Sequence, residues 1–162
     1  MRALLNLPGD SAEDALAREG FTVEHPIATL VQTWIEVADG SNYAHLITTS
    51  PRAGFAPKSI LMTEGLVDEY TPPASIEALA GAMGVPLVEP VSRAVDSLRL
   101  RGLEIFAPPV TANAAGGLAT AGLLQFPDDG HFAIFVNDTA EAQVFGFFGS
   151  LAAGGPGIIP AP

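Results

Sequence analysis

At 162 residues the chain has the length of one domain, long enough to bury a core and too short for most two-domain enzymes. Its formal charge of −11, with seven Lys and Arg in all, excludes the clustered basic surface that nucleic acid or an anionic membrane requires. Cysteine is absent, which removes disulfides, thiolate catalysis and cysteine metal ligands; with 48% hydrophobic and 15% charged residues, a monomer has little polar surface to cover itself, and a homodimer is expected.

The N-terminal stretch Met1-Arg2-Ala3-Leu4-Leu5-Asn6-Leu7-Pro8 carries an apolar patch too short for a signal-peptide core or a membrane span, so a cytoplasmic protein is expected. Asp10-Ser11 before Ala12-Glu13-Asp14 offers an N-cap with acids in the first turn, and Gly20 a stop. A second helix fits from His25-Pro26, with Ile27, Leu30, Val31, Trp34 and Ile35 on one face. Both helices are amphipathic and need a surface to lie on. The run from Asp39 to Ala56 has the composition of a loop.

Ser59 to Gly65 is a short apolar run closed by glycine, the pattern of a buried parallel strand. Pro72-Pro73 then opens a helix from Ala74 to Met83, and Gly84 ends it. Val85 to Val88 reads as a further strand, followed by an amphipathic stretch from Val91 to Leu100 and by Leu103-Glu104-Ile105-Phe106. The Gly/Ala-rich segment Thr111 to Ala119 reads as a loop. Gly122 to Phe126 is a last strand, and Thr139 to Leu151 a last helix, apolar at Val144, Phe147, Phe148 and Leu151. The Gly/Pro-rich tail, 154–162, is expected to be irregular. The fold class is therefore α/β, a small, mainly parallel sheet flanked by helices.

Two segments in this order carry a resemblance. A strand, then Gly65-Leu66-Val67-Asp68-Glu69-Tyr70-Thr71-Pro72, then a helix, is similar to the turn that presents the catalytic acid in α/β-hydrolases. The last strand, Pro127-Asp128-Asp129-Gly130-His131-Phe132 and a final helix are similar to the segment that presents the histidine base. The stretch from Lys58 to Leu151 thus resembles the C-terminal half of an α/β-hydrolase of the esterase and lipase kind. The resemblance implies that Asp68 orients an imidazole and that His131 moves the proton. It divides the chain into a cap-like or lid-like helical segment over 1–56, a truncated hydrolase core over 57–153 and the tail. The separation of Asp68 from His131 exceeds the family's usual spacing, and an inserted strand or helical excursion between Leu87 and Ala119 accounts for it.

The family's Gly-x-Ser-x-Gly nucleophile segment is missing. Its nearest substitute, Asp39-Gly40-Ser41-Asn42-Tyr43, lacks the first glycine and the flanking strand and helix, so Ser41 is a poor nucleophile candidate. The histidines His25, His45 and His131, with Asp68, Asp128 and Asp129, offer nitrogen and oxygen ligands; His131, Asp68 and Asp129 form the candidate set for a divalent ion such as zinc or manganese. A metal hydroxide would supply the missing nucleophile. Three function classes stay open: a hydrolase of activated carboxylic or related small-molecule esters using the Asp-His pair, a metal-dependent ester or phosphoester hydrolase, and an inert piece or non-catalytic module that needs an N-terminal partner.

Overall fold

The computed structural model describes residues 25–162, so the helix expected at 10–20 lies outside the described residues. The chain falls into two compact units, one ending at Asp39 and the other running from Gly40 to Pro162. In the first, helix α1, Pro26–Ile35, forms where its spacing places it. Proline opens the helix, and His25 Nδ1 caps it by accepting the Ile27 N–H at 3.2 Å. Leu30, Trp34 and Ile35 on its apolar face are exposed.

The second unit is mixed α/β. Its elements are β1, Ile60–Gly65; α2, Pro73–Met83; α3, Asp96–Leu100; β2, Val110–Thr111; β3, Ala121–Phe126; α4, Ala133–Val136; α5, Asp138–Ala152; and β4, Ile158–Ile159. Strands β1 and β3 pair in parallel, with Ile60 opposite Ala121 and Gly65 opposite Phe126. On the far side of β3, Leu87 makes a parallel bridge to Leu123, and Val88 one to Phe106. The expected strand at Val85 to Val88 is thus reduced to single bridges that extend the parallel arrangement. Strand β3 is buried along its whole length, with Gln125 the one polar side chain in an otherwise apolar run. Its Ala121 and Leu123 join Ala80, Met83, Val85 and Leu98 on one face, and its Leu124 and Phe126 join Ala140, Phe147 and Ile159 on the other. Gly84 ends α2 in the left-handed conformation at φ 75°, as its position after Met83 predicts.

The structure refines four readings. The run from Asp39 to Ala56, expected to be a loop, begins with single-turn helices at Gly40–Asn42 and Ala44–Leu46, with Ala44 in the core, and only its later part is turn and coil. Thr48 Oγ1 donates to Met83 O at 2.5 Å and Lys58 N–H to Ile47 O at 2.8 Å, which ties this segment to the sheet-bearing unit. Within the amphipathic stretch from Val91 the helix is α3 alone, and ahead of it the Ser92 and Arg93 N–H groups donate to Gln125 Oε1 at 3.0 and 2.9 Å. On α5 the buried residues are Ala140, Gln143 and Phe147, while Phe148 is exposed. The tail is not irregular throughout. It forms β4, antiparallel to β2, with Ile159 fully buried. Thr111 Oγ1 and Thr120 Oγ1 both donate to Gly157 O at 2.8 Å, the Ile158 N–H donates to Ser150 Oγ at 2.7 Å, and Gln143 Nε2 donates to Pro160 O at 3.1 Å. Among the described residues no helix is long and apolar enough to cross a membrane.

Candidate active site

The loops that follow β1 and β3 leave the same end of the sheet and are joined to each other. Leu66 N–H donates to Phe126 O at 2.9 Å and Val67 N–H to Asp129 O at 3.2 Å. Gly65 makes this approach possible: a Cβ there would overlap the carbonyl oxygens of Asp129 and Gly130. Asp68 follows at the end of a tight turn, its N–H donating to Gly65 O at 3.1 Å. Its Oδ1 accepts the Tyr70 and Thr71 N–H groups at 2.7 and 2.9 Å, folding the chain toward the Pro72-Pro73 entrance of α2. Its Oδ2 lies 3.0 Å from His131 Nδ1. The structure therefore brings the two sequence-predicted residues together at the C-terminal ends of neighbouring parallel strands, where open α/β sheets place their sites.

The two side chains differ in exposure, 4% for Asp68 against 40% for His131. Burial alone would raise the Asp68 carboxyl, but the Thr71 N–H, His131 and the Tyr70 N–H outweigh it and hold the group below its ordinary value. An ionised carboxylate at Nδ1 favours the tautomer with the proton there, which leaves the Nε2 lone pair available. The imidazole is flanked by Tyr70 and Phe132, with ring centroids at 5.5 and 5.0 Å. A cavity of about 200 Å³ beside it is lined by Thr63, Gly65, Thr71, Ile76 and Gly130 together with the pair. Among the described residues the Gly130 N–H donates to no acceptor.

The other sequence candidates lie elsewhere. Asp129 Oδ2 accepts Asn137 Nδ2 at 2.6 Å, and the same Asn137 caps α5, so Asp129 fixes the helix after the histidine loop. The set of His131, Asp68 and Asp129 does not assemble as a metal site: among the described residues no group of three or more His, Asp or Glu converges to hold an ion. Asp128 is exposed, His25 caps α1, His45 sits in the Ala44–Leu46 turn, and Ser41 does not line the His131 cavity.

The sequence reading missed Glu64. It is buried in β1, with Oε1 accepting Gln125 Nε2 at 2.7 Å across the strand pair and Oε2 without a partner among the described residues. Burial pushes its carboxyl above the ordinary value, against the Gln125 hydrogen bond that lowers it. A lone acid inside an apolar run that ends in glycine was the available signal.

Comparison with family models, with curated proteins and with solved structures finds no match to this chain.

Proposed function

We propose that the chain hydrolyses activated carboxylic esters, with His131 as general base toward water and Asp68 as the group that orients the imidazole. The observation that supports this reading is the 3.0 Å contact between a buried carboxylate and a half-exposed imidazole whose second nitrogen is left for chemistry. In the step envisaged, Nε2 takes a proton from water as the oxygen bonds to the ester carbonyl carbon. The imidazolium, steadied by Asp68, then returns that proton to the departing alkoxide or phenoxide as the C–O bond breaks. The Gly130 N–H at the cavity wall is the candidate donor to the oxyanion of the tetrahedral intermediate. The likeness to a hydrolase belongs to this proposal; the sheet itself is two parallel strands flanked by helices.

The test is turnover of p-nitrophenyl acetate by the purified chain in buffer containing chelator. The expected result is measurable hydrolysis that falls about 10²-fold or more in His131→Ala. Equal rates in the two proteins contradict the assignment. A second reading, in which a partner chain brings the nucleophile, is favoured by the exposure of Tyr70 (81%) and Phe132 (56%) around the imidazole. It predicts no turnover by the isolated chain.

A further inference from the structure

A second concavity, separate from the His131 cavity, lies beside the N-terminal end of β1. It is a groove open to solvent, offering about 530 Å³ and walled by Tyr43, Leu46, Ile47 and Phe55, with Arg52 and Lys58 among its lining residues. That volume is within the roughly 300–1,000 Å³ typical of small-molecule sites. The segment is braced locally. Lys58 N–H holds Ile47 O at 2.8 Å, and Phe55 N–H closes a turn on Arg52 O at 3.0 Å, with Gly54 in the left-handed region at φ 86°. Ile47, Tyr43 and Phe55 stay substantially exposed, so the wall presents apolar surface to solvent.

The segment that builds this surface carries basic charge and no acid. In a chain of net charge −11 with 18 acidic residues, no Asp or Glu occurs from Gly40 to Thr63, and both basic residues of that stretch line the concavity. Arg93 and Arg99 are paired with Glu77 and Asp96, but among the described residues Arg52 and Lys58 form no ion pair. A compact anion beside an apolar body matches this lining. Arginine provides a planar fork for a carboxylate, and lysine adds a mobile point charge.

From this juxtaposition we infer that the concavity is a binding site for an amphiphilic monocarboxylate, a medium-chain fatty acid, with its tail against Leu46, Ile47 and Phe55 and its head between Arg52 and Lys58. β1 alone separates it from Asp68 by about 20 Å at the usual strand rise, so it is independent of the proposed ester hydrolysis.

The experiment is titration calorimetry of the full chain with decanoate, decanol and decyltrimethylammonium below their aggregation thresholds, with light scattering in parallel. Decanoate should bind more tightly than decanol, by up to about fivefold on the scale of one exposed charge pair, and the quaternary ammonium should not bind. Arg52→Gln and Lys58→Gln should each weaken decanoate several-fold and leave decanol unchanged. Phe55→Ala should weaken both, and Arg101→Gln, an exposed cation elsewhere, should change neither. No decanoate binding at millimolar concentration, or equal affinity for decanoate and decanol, overturns the inference. So does a self-associated species that Phe55→Ala dissociates and decanoate leaves intact, which would assign the face to a second copy of the chain.

Discussion

Asp68 has two tasks that substitution can separate. Its Oδ1 holds the Tyr70 and Thr71 N–H groups and so shapes the turn, while its Oδ2 fixes the imidazole. Asparagine keeps an oxygen for the turn but presents an N–H to His131 Nδ1, which favours the opposite tautomer and removes the Nε2 lone pair. Asp68→Asn should therefore lower ester turnover by about 10²–10⁴-fold with its melting temperature nearly unchanged, whereas Asp68→Ala should lose both activity and stability. Paired melts and rate assays on the two variants check this, and equal melting temperatures for them would contradict a role in the turn. Glu64 gives a pH signature of opposite sign to that of Asp68. A carboxyl whose folded value lies above its ordinary 4.5 holds its proton more tightly in the folded state, so its contribution is complete below 4.5 and declines as pH rises through the raised value. Asp68, held below 3.8, contributes above that pH and loses its contribution as pH falls through its lowered value. Glu64→Gln should leave stability unchanged at low pH and raise it at neutral pH, read as the difference between wild-type and variant melts across that range. A variant less stable than wild type at neutral pH would mean the ionised form is favoured in the fold.

Among the elements, those specified by local chemistry were legible in sequence: β1 and β3 as apolar runs, α2 between its opening prolines and Gly84, and α5 after the Asn137 cap. The Asp68–His131 pairing was expected from the resemblance of two strand–loop–helix segments to the turns that present the acid and the base in α/β-hydrolases, and not from the local chemistry of the turns alone. What sequence reading missed depends on distant partners. Val91 to Leu100 reads as one amphipathic stretch, but its first part is held by Gln125 and the helix begins only at Asp96, and the run to Ala56 reads as a loop although Thr48 anchors it to Met83. The tail is the clearest case. Its glycines and prolines suggest local freedom, but Thr111, Thr120, Ser150 and Gln143 provide the hydrogen bonds that hold it. Gly122 provides the space, since a Cβ there would overlap Ile159 and Val88. Ile159→Ala should accordingly cost about 2–5 kcal/mol in chemical denaturation, the range for a buried large-to-small change. A loss below about 0.5 kcal/mol would show that the tail is not part of the cooperative core.

For the whole molecule, strand β1 has a neighbour on one side only among the described residues, and large apolar side chains including Trp34, Tyr70, Leu100 and Phe135 are exposed. An open parallel edge together with such surface favours association, opposed over longer range by the charge of −11. We propose a homodimer, which light scattering should detect at micromolar concentration and increasingly as salt screens the charge; a monodisperse monomer at every ionic strength would refute it. Whatever the assembly, the central claim is that one imidazole, oriented by one buried carboxylate, is the base. The pH–rate profile of p-nitrophenyl acetate hydrolysis in wild type beside His131→Ala tests this most directly. The account predicts two profiles of different shape, the pH-dependent part of the wild-type rate being absent from the variant; profiles of the same shape in both proteins would contradict it.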